Sequence, residues 1–239
     1  MGLELAEAYQ AVEDDDEVRV MVITGAGRAF CAGGDLQTFQ SSAEAQRRGD
    51  LDSWSWGKRF YSYPERGGCW TLKNMSKPSI AAVNGAAVGF GCTLPLACDL
   101  RIAAEEARMG PIFVRVGLTP DFGSTYNLVK IVGIAKALEL ALTGKIIDAK
   151  EAKEIGLVNQ VVPASELMAA THEMAMSIAQ KPPIAVALAK KGLHQAVDAT
   201  LVEQLQYEAF ALHLCFQTDD HLEAVKAFLE KRQPVFKGR

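Results

Sequence analysis

Two glycine-rich turns, Gly25 to Gly34 and Gly85 to Gly91, each follow an apolar run of strand length. Glycine lets the backbone take unusual dihedrals and lets a ligand come close to main-chain N–H groups. A helix that starts just after such a turn aims unpaired N–H donors, and the positive end of its dipole, at that ligand. Two turns side by side can offer two donors to one oxygen, which is an oxyanion hole. The same glycines also suit tight turns and close helix packing, and both readings stay open at this point. Thr24-Gly25-Ala26-Gly27 after a strand also fits a dinucleotide-binding turn, and Tyr126 with Lys130 has YxxxK spacing. That fingerprint needs further glycines where this chain has Arg28, Ala29 and Phe30, so it fails in detail. Asp121 precedes a helical pattern that starts near Gly123, and capping that helix is an ordinary job for an aspartate.

Metal chemistry is disfavoured. The 4 histidines show no HxxxH or HExxH spacing, and there is no CxxC pair among the 5 cysteines. The acidic run Glu13 to Glu17 reads as a solvated helix end. Cys31 and Cys92 lie within the glycine-rich stretches and read as small packing residues, because nothing nearby would activate a thiolate.

The elements that hold these turns follow from composition and pattern. With 239 residues and 49% apolar content, the chain can bury a full core as one large domain, or as one domain with an appended subdomain. A net charge of −4 argues against general nucleic-acid binding. Few, scattered cysteines and no visible signal peptide point to a reducing, cytoplasmic setting. Leu3 to Val12 reads as a helix, and Val18 to Thr24 as a strand buried on both faces of a parallel sheet. Residues 41–75 read as a flap with helical parts, carrying Trp54, Trp56, Trp70, Tyr61 and Tyr63. Pro78 to Cys98 holds no charge, but its glycines and prolines argue for a buried strand, turn and helix rather than a membrane span. Another strand is expected at Leu100 to Ala103, then helices near 123–142 and 148–155. A strand at Leu157 to Val162 leads to helices near 164–180, 184–197, 200–215 and 218–231.

Ile23-Thr24-Gly25-Ala26-Gly27-Arg28-Ala29-Phe30-Cys31-Ala32-Gly33-Gly34-Asp35-Leu36 resembles the first signature of the crotonase superfamily, the enoyl-CoA hydratase/isomerase fold. Lys77 to Gly85, running on to Cys98-Asp99-Leu100, resembles the second. Leu142-Thr143-Gly144-Lys145, with Gly156-Leu157-Val158-Asn159 and Val161-Val162-Pro163, is similar to the third block, and Phe228 to Lys237 to the C-terminal helix. The resemblance implies an α/β fold, a ClpP-like spiral of ββα units over 1–163, with a helical trimerisation region over 164–239. It implies an acyl-CoA substrate, no permanently bound cofactor beyond the coenzyme A of that thioester, and a homotrimer or dimer of trimers. It places the two oxyanion donors on the backbone of Gly34 and Phe90. Ala32 and Gly34 to Leu36, Asp35 included, would line the coenzyme A path, and Phe228 and Lys231 would reach it from the tail. An exposed helix lysine is the equally simple reading of Lys231.

The acid–base positions decide the reaction. Hydratases resembling this family use two glutamates, and here those positions hold Thr93 and Phe113. Gly117-Leu118-Thr119-Pro120-Asp121-Phe122-Gly123 resembles the block in which some enoyl-CoA and phenylacetyl-CoA-pathway isomerases place a single carboxylate. The resemblance therefore implies catalysis by Asp121 and an isomerase, with Met109 and Phe113 walling the acyl pocket. Hydration or another enolate reaction is the alternative, and a non-catalytic acyl-CoA-binding protein is a third. Relatives begin with a strand pair that helps hold coenzyme A. If this chain lacks it, weaker coenzyme A affinity is expected.

Overall fold

A computed structural model describes residues 2–50 and 68–239. Helix α1 (Gly2–Asp14) leads to β1 (Met21–Thr24), the first glycine turn, β2 (Ala29–Cys31) and α2 (Leu36–Arg47). After α3 (Gly68–Asn74) come β3 (Ser79–Val83), β4 (Ala86–Val88) and α4 (Phe90–Ala97). The next turn is β5 (Leu100–Ala104), β6 (Arg108–Gly110), a 3-10 segment Ile112–Val116 and α5 (Ser124–Thr143). Then follow β7 (Ile147–Asp148), α6 (Ala149–Glu154), β8 (Gln160–Val162) and the helices α7 (Leu167–Ala179), α8 (Pro183–Ala196), α9 (Leu201–Phe216) and α10 (Asp219–Glu230).

Among the described residues the strands fall into two four-stranded sheets, β1-β3-β5-β8 and β2-β4-β6-β7. Each of the first three ββα turns places one strand in each sheet, which is a spiral. All pairs are parallel except β6 with β7. Parallel neighbours need a crossover, and the intervening helices supply it.

Period-two alternation explains why β3 and β5 are buried on both faces. Ala81, Val83 and Ala103 join the main core with Ala87, Met109, Leu128 and Leu140. Ile80, Ala82, Ile102 and Ala104 face the other way and pack with Leu167 and Ala175 of α7. The uncharged stretch 78–98 is thus the structural centre. No helix among the described residues is long and apolar enough to cross a membrane.

The expectation for 18–24 needs correction. The strand is only Met21–Thr24, and its burial declines from buried Met21 to exposed Thr24. Among the described residues it lies at the sheet edge and pairs only with β3, so one side has no described strand to cover it. Four short strands, β2, β4, β6 and β7, were not expected, because two or three residues are too few to show a period. Helix α2 and Trp70 on α3 fall in or beside the expected flap. The aromatics Trp54, Trp56, Tyr61 and Tyr63 lie outside the described residues.

Candidate active site

The two glycine turns meet. Gly33 (φ 93°) and Gly89 (φ 56°) are both in the left-handed range that favours glycine. A Cβ on Gly33 would sit 3.0 Å from the Val88 carbonyl oxygen and 3.9 Å from the Gly89 Cα. Asn84 laces the turns together. Its side-chain amide donates to the carbonyls of Gly25 (3.1 Å) and Gly27 (3.0 Å), while its Oδ1 accepts from the Gly25 N–H (3.2 Å). Gly91 must be glycine for another reason: a Cβ there would lie 1.9 Å from the Cys31 carbonyl oxygen. Helix α4 therefore starts hard against β2.

Phe90 opens α4, so its N–H has no acceptor within the helix. Among the described residues, no backbone hydrogen bond uses the N–H of Gly34 or of Phe90. The Phe39 ring lies over Gly34, since a Cβ there would be 2.3 Å from Phe39 Cζ. Sequence reasoning did not single out Phe39 or Asn84.

Asp121 does not cap α5. The N-cap is Gly123, which makes no side-chain cap bond, and the main-chain oxygen of Asp121 accepts from the Ser124 N–H at 2.9 Å. The carboxylate oxygen Oδ1 is buried and has no hydrogen-bond partner among the described residues. Burial pushes the carboxyl above the usual aspartate range, only partly opposed by its own backbone N–H. A buried carboxylate oxygen without a partner is costly, and such groups concentrate where a proton must be moved.

Asp121 borders a cavity of about 740 Å³, also lined by Cys69, Trp70, Lys73, Pro120, Phe122, Tyr126 and His194. Gly34 and Phe90 do not line it. The link is the Phe90 ring, which stands edge-on to Phe122 with centroids 5.0 Å apart. A second set of groups, missed in the sequence, braces the other side. Asp99 holds Lys190 Nζ at 2.9 Å and His194 Nε2 at 2.7 Å, and accepts from the Ser79 N–H at 2.7 Å. Burial alone would raise the Asp99 carboxyl, but His194, Lys190 and Ser79 together hold it below the usual range. Asp99 and Lys190 are far apart in the chain, so spacing gave no signal. A lysine closing the apolar stretch of α8 was the only hint.

The remaining expected residues scatter. Asp35 caps α2, accepting from the Gln37 N–H (3.0 Å) and the Thr38 hydroxyl (2.8 Å), and these bonds lower its pKa. Ala32 and Leu36 are exposed beside it. Phe228 is 84% exposed on α10, and Lys231 ends that helix in a left-handed conformation. Neither approaches the Asp121 cavity. Met109 is wholly buried in the core and Phe113 nearly so, and neither lines that cavity, contrary to expectation. Thr93 is buried with its hydroxyl spent on the Phe90 carbonyl at 3.1 Å. Burial pushes the Cys92 thiol up to about 12, which suits a packing role.

A family model described as enoyl-CoA hydratase/isomerase matches residues 1–239. The chain belongs to that family. It is 40% identical over 237 residues to a crotonyl-CoA hydratase of Syntrophomonas wolfei, covering 98% of this chain and 86% of the relative. It is 38% identical over 240 residues to a 1,2-epoxyphenylacetyl-CoA isomerase of Escherichia coli, covering 100% of this chain and 88% of the relative. The crystal structure of an enoyl-CoA hydratase from Bacillus anthracis superimposes with a TM-score of 0.87 at 38% identity, over 99% of this chain and 88% of that one. The ββα spiral is therefore the crotonase fold, and this member of the enoyl-CoA hydratase/isomerase family is an enzyme. Within the family, a fold shared by hydratases and isomerases leaves the reaction to the side chains of the site. At Thr93 and Phe113 this member carries no group that could exchange a proton near neutral pH.

Proposed function

We propose that this enzyme shifts a double bond in an enoyl-CoA thioester, with Asp121 as the single acid–base group. The observation that carries the proposal is the buried, unpartnered Asp121 Oδ1 on the wall of the 740 Å³ cavity. The carboxylate takes a proton from C2 of a 3-enoyl-CoA, and a dienolate forms. The free N–H groups of Gly34 and Phe90 receive the developing charge on the thioester oxygen. The protonated carboxyl then returns the proton at C4, which places the double bond in conjugation with the thioester. No atom is gained or lost, and one carboxyl suffices because both carbons lie on one side of the acyl chain. A carboxyl raised by burial is closer to the working pH and is a better proton shuttle.

Coenzyme A enters as part of the substrate. The backbone of Ala32 and Gly34 to Leu36 lines its path in this reading, and Phe228 and Lys231 meet it near the end of the chain. The apolar outer faces of α9 and α10, with Leu201, Phe210, Phe216, Leu222 and Leu229 all exposed, support assembly as a trimer or a dimer of trimers.

Hydration is the second reading, favoured by the crotonyl-CoA hydratase and Bacillus anthracis relatives. It would require water to be activated without carboxylates at Thr93 and Phe113. Turnover of 3-hexenoyl-CoA and crotonyl-CoA, measured side by side, tests the proposal. Isomerisation at least about tenfold faster than hydration is expected. Dominant hydration overturns it, and binding without either turnover supports a non-catalytic role.

A further inference from the structure

The cavity that Asp121 borders also has basic side chains on its lining. Lys73 of α3 and Lys191 and His194 of α8 all face it. Lys73 is half-buried, and among the described residues no carboxylate lies within ion-pair distance of it. Its Nζ stands 5.6 Å from the centroid of the Tyr126 ring. The nearby acids are engaged elsewhere. Asp198 also lines the cavity, but it pairs with Lys130 at 2.8 Å and accepts from the Tyr126 hydroxyl. Asp99 pairs with Lys190 and with His194, which fixes the His194 ring at the cavity edge. Burial depresses the Lys73 ammonium below its usual pKa, and the nearby Cys69 and Asp99 offset this only in part. Trp70 and Tyr126 supply apolar surface between the charges.

We infer that Lys73, with His194 lining the same cavity, forms a subsite for an anionic end of the acyl group, so that the preferred acyl-CoA carries a terminal carboxylate. This rests on the reading above that the Asp121 cavity receives the acyl chain. A carboxylate arriving at Lys73 gives the ammonium a partner that no carboxylate among the described residues provides, and a plain hydrocarbon chain does not. A cavity of about 740 Å³ has room for such a chain. Asp121 works on the carbons near the thioester, and Lys73 selects the far end.

The test uses saturated acyl-CoAs, which the enzyme does not turn over, so its result does not depend on the isomerase assignment. Calorimetric titration compares pairs of equal length, such as octanoyl-CoA against suberyl-CoA, with six- and ten-carbon pairs alongside. At one length, the wild-type protein should bind the dicarboxylic member at least about tenfold more tightly. Lys73→Met should bring that ratio to within about twofold of unity, and Lys73→Arg should keep most of it. A ratio near one at all three lengths in the wild type overturns the inference. So does an equal loss for both members in Lys73→Met, which would place Lys73 on the phosphates of coenzyme A instead. If the preference holds but 3-hexenoyl-CoA is not isomerised, the subsite stands and only the reaction assignment fails.

Discussion

The Phe90 ring meets the Phe122 ring edge-on, at 5.0 Å between centroids and 75° between planes. Phe90 carries one proposed oxyanion donor on its backbone, and Phe122 directly follows the proposed base. Phe122 also holds a left-handed backbone (φ 53°), a conformation that a bulky residue keeps only when its surroundings enforce it. The contact therefore ties the position of Asp121 to the second glycine turn. Phe122→Ala should lower stability by about 3 kcal/mol in urea unfolding, through the cavity it leaves. It should also lower kcat for enoyl-CoA isomerisation, because the base is no longer held against its turn. A variant with lost stability and unchanged kcat would separate the two roles.

Asp121 sets function against stability. Between the ordinary carboxyl value near 3.8 and its raised value in the fold, the folded state binds more protons than the unfolded chain. Stability then falls as pH rises through that window, and the penalty persists above it. Asp121→Asn should therefore be more stable than wild type at pH 7, by about 1 kcal/mol. The difference should vanish below pH 3.8, where both chains are neutral at this position. Thermal unfolding at the two pH values measures it.

The same shift governs the rate. The proposed base works only when ionised, so kcat/KM for isomerisation should fall as pH drops through the raised Asp121 value. The acid limb should lie above 3.8. A pH–rate profile with 3-hexenoyl-CoA reads this directly. A rate that stays flat down to pH 4 would mean that some other group moves the proton.

Asp99 behaves in the opposite sense. Its depressed carboxyl adds stability above the unfolded value near 3.8, and that stability is lost as pH falls through the folded value. Lys190→Met leaves the buried carboxylate without its ammonium and should cost about 3 kcal/mol at pH 7. Denaturant unfolding measures the loss, which should shrink in acid as Asp99 becomes protonated.

Much of this is legible in the sequence. Long elements with a clear period, such as α7 and α9, stood out because each repeats its apolar spacing over several turns. Asp99 was read only as part of a signature. Its partners Ser79, Lys190 and His194 are brought to it by the β3–β5 pairing and by α8, and no local spacing records that. Lys73 escaped notice for a related reason. A lysine on a short helix looks like surface until Tyr126, some fifty positions on, folds over it. The capping role for Asp121 was a fair alternative from the sequence, and the left-handed Gly123 took that position instead.

The central claim is that one carboxyl carries the proton. The most direct measurement is the turnover of 3-hexenoyl-CoA by Asp121→Asn beside the wild type, with both proteins shown to be folded. The account predicts a loss of at least about a hundredfold in kcat. Turnover within a few-fold of wild type would contradict it.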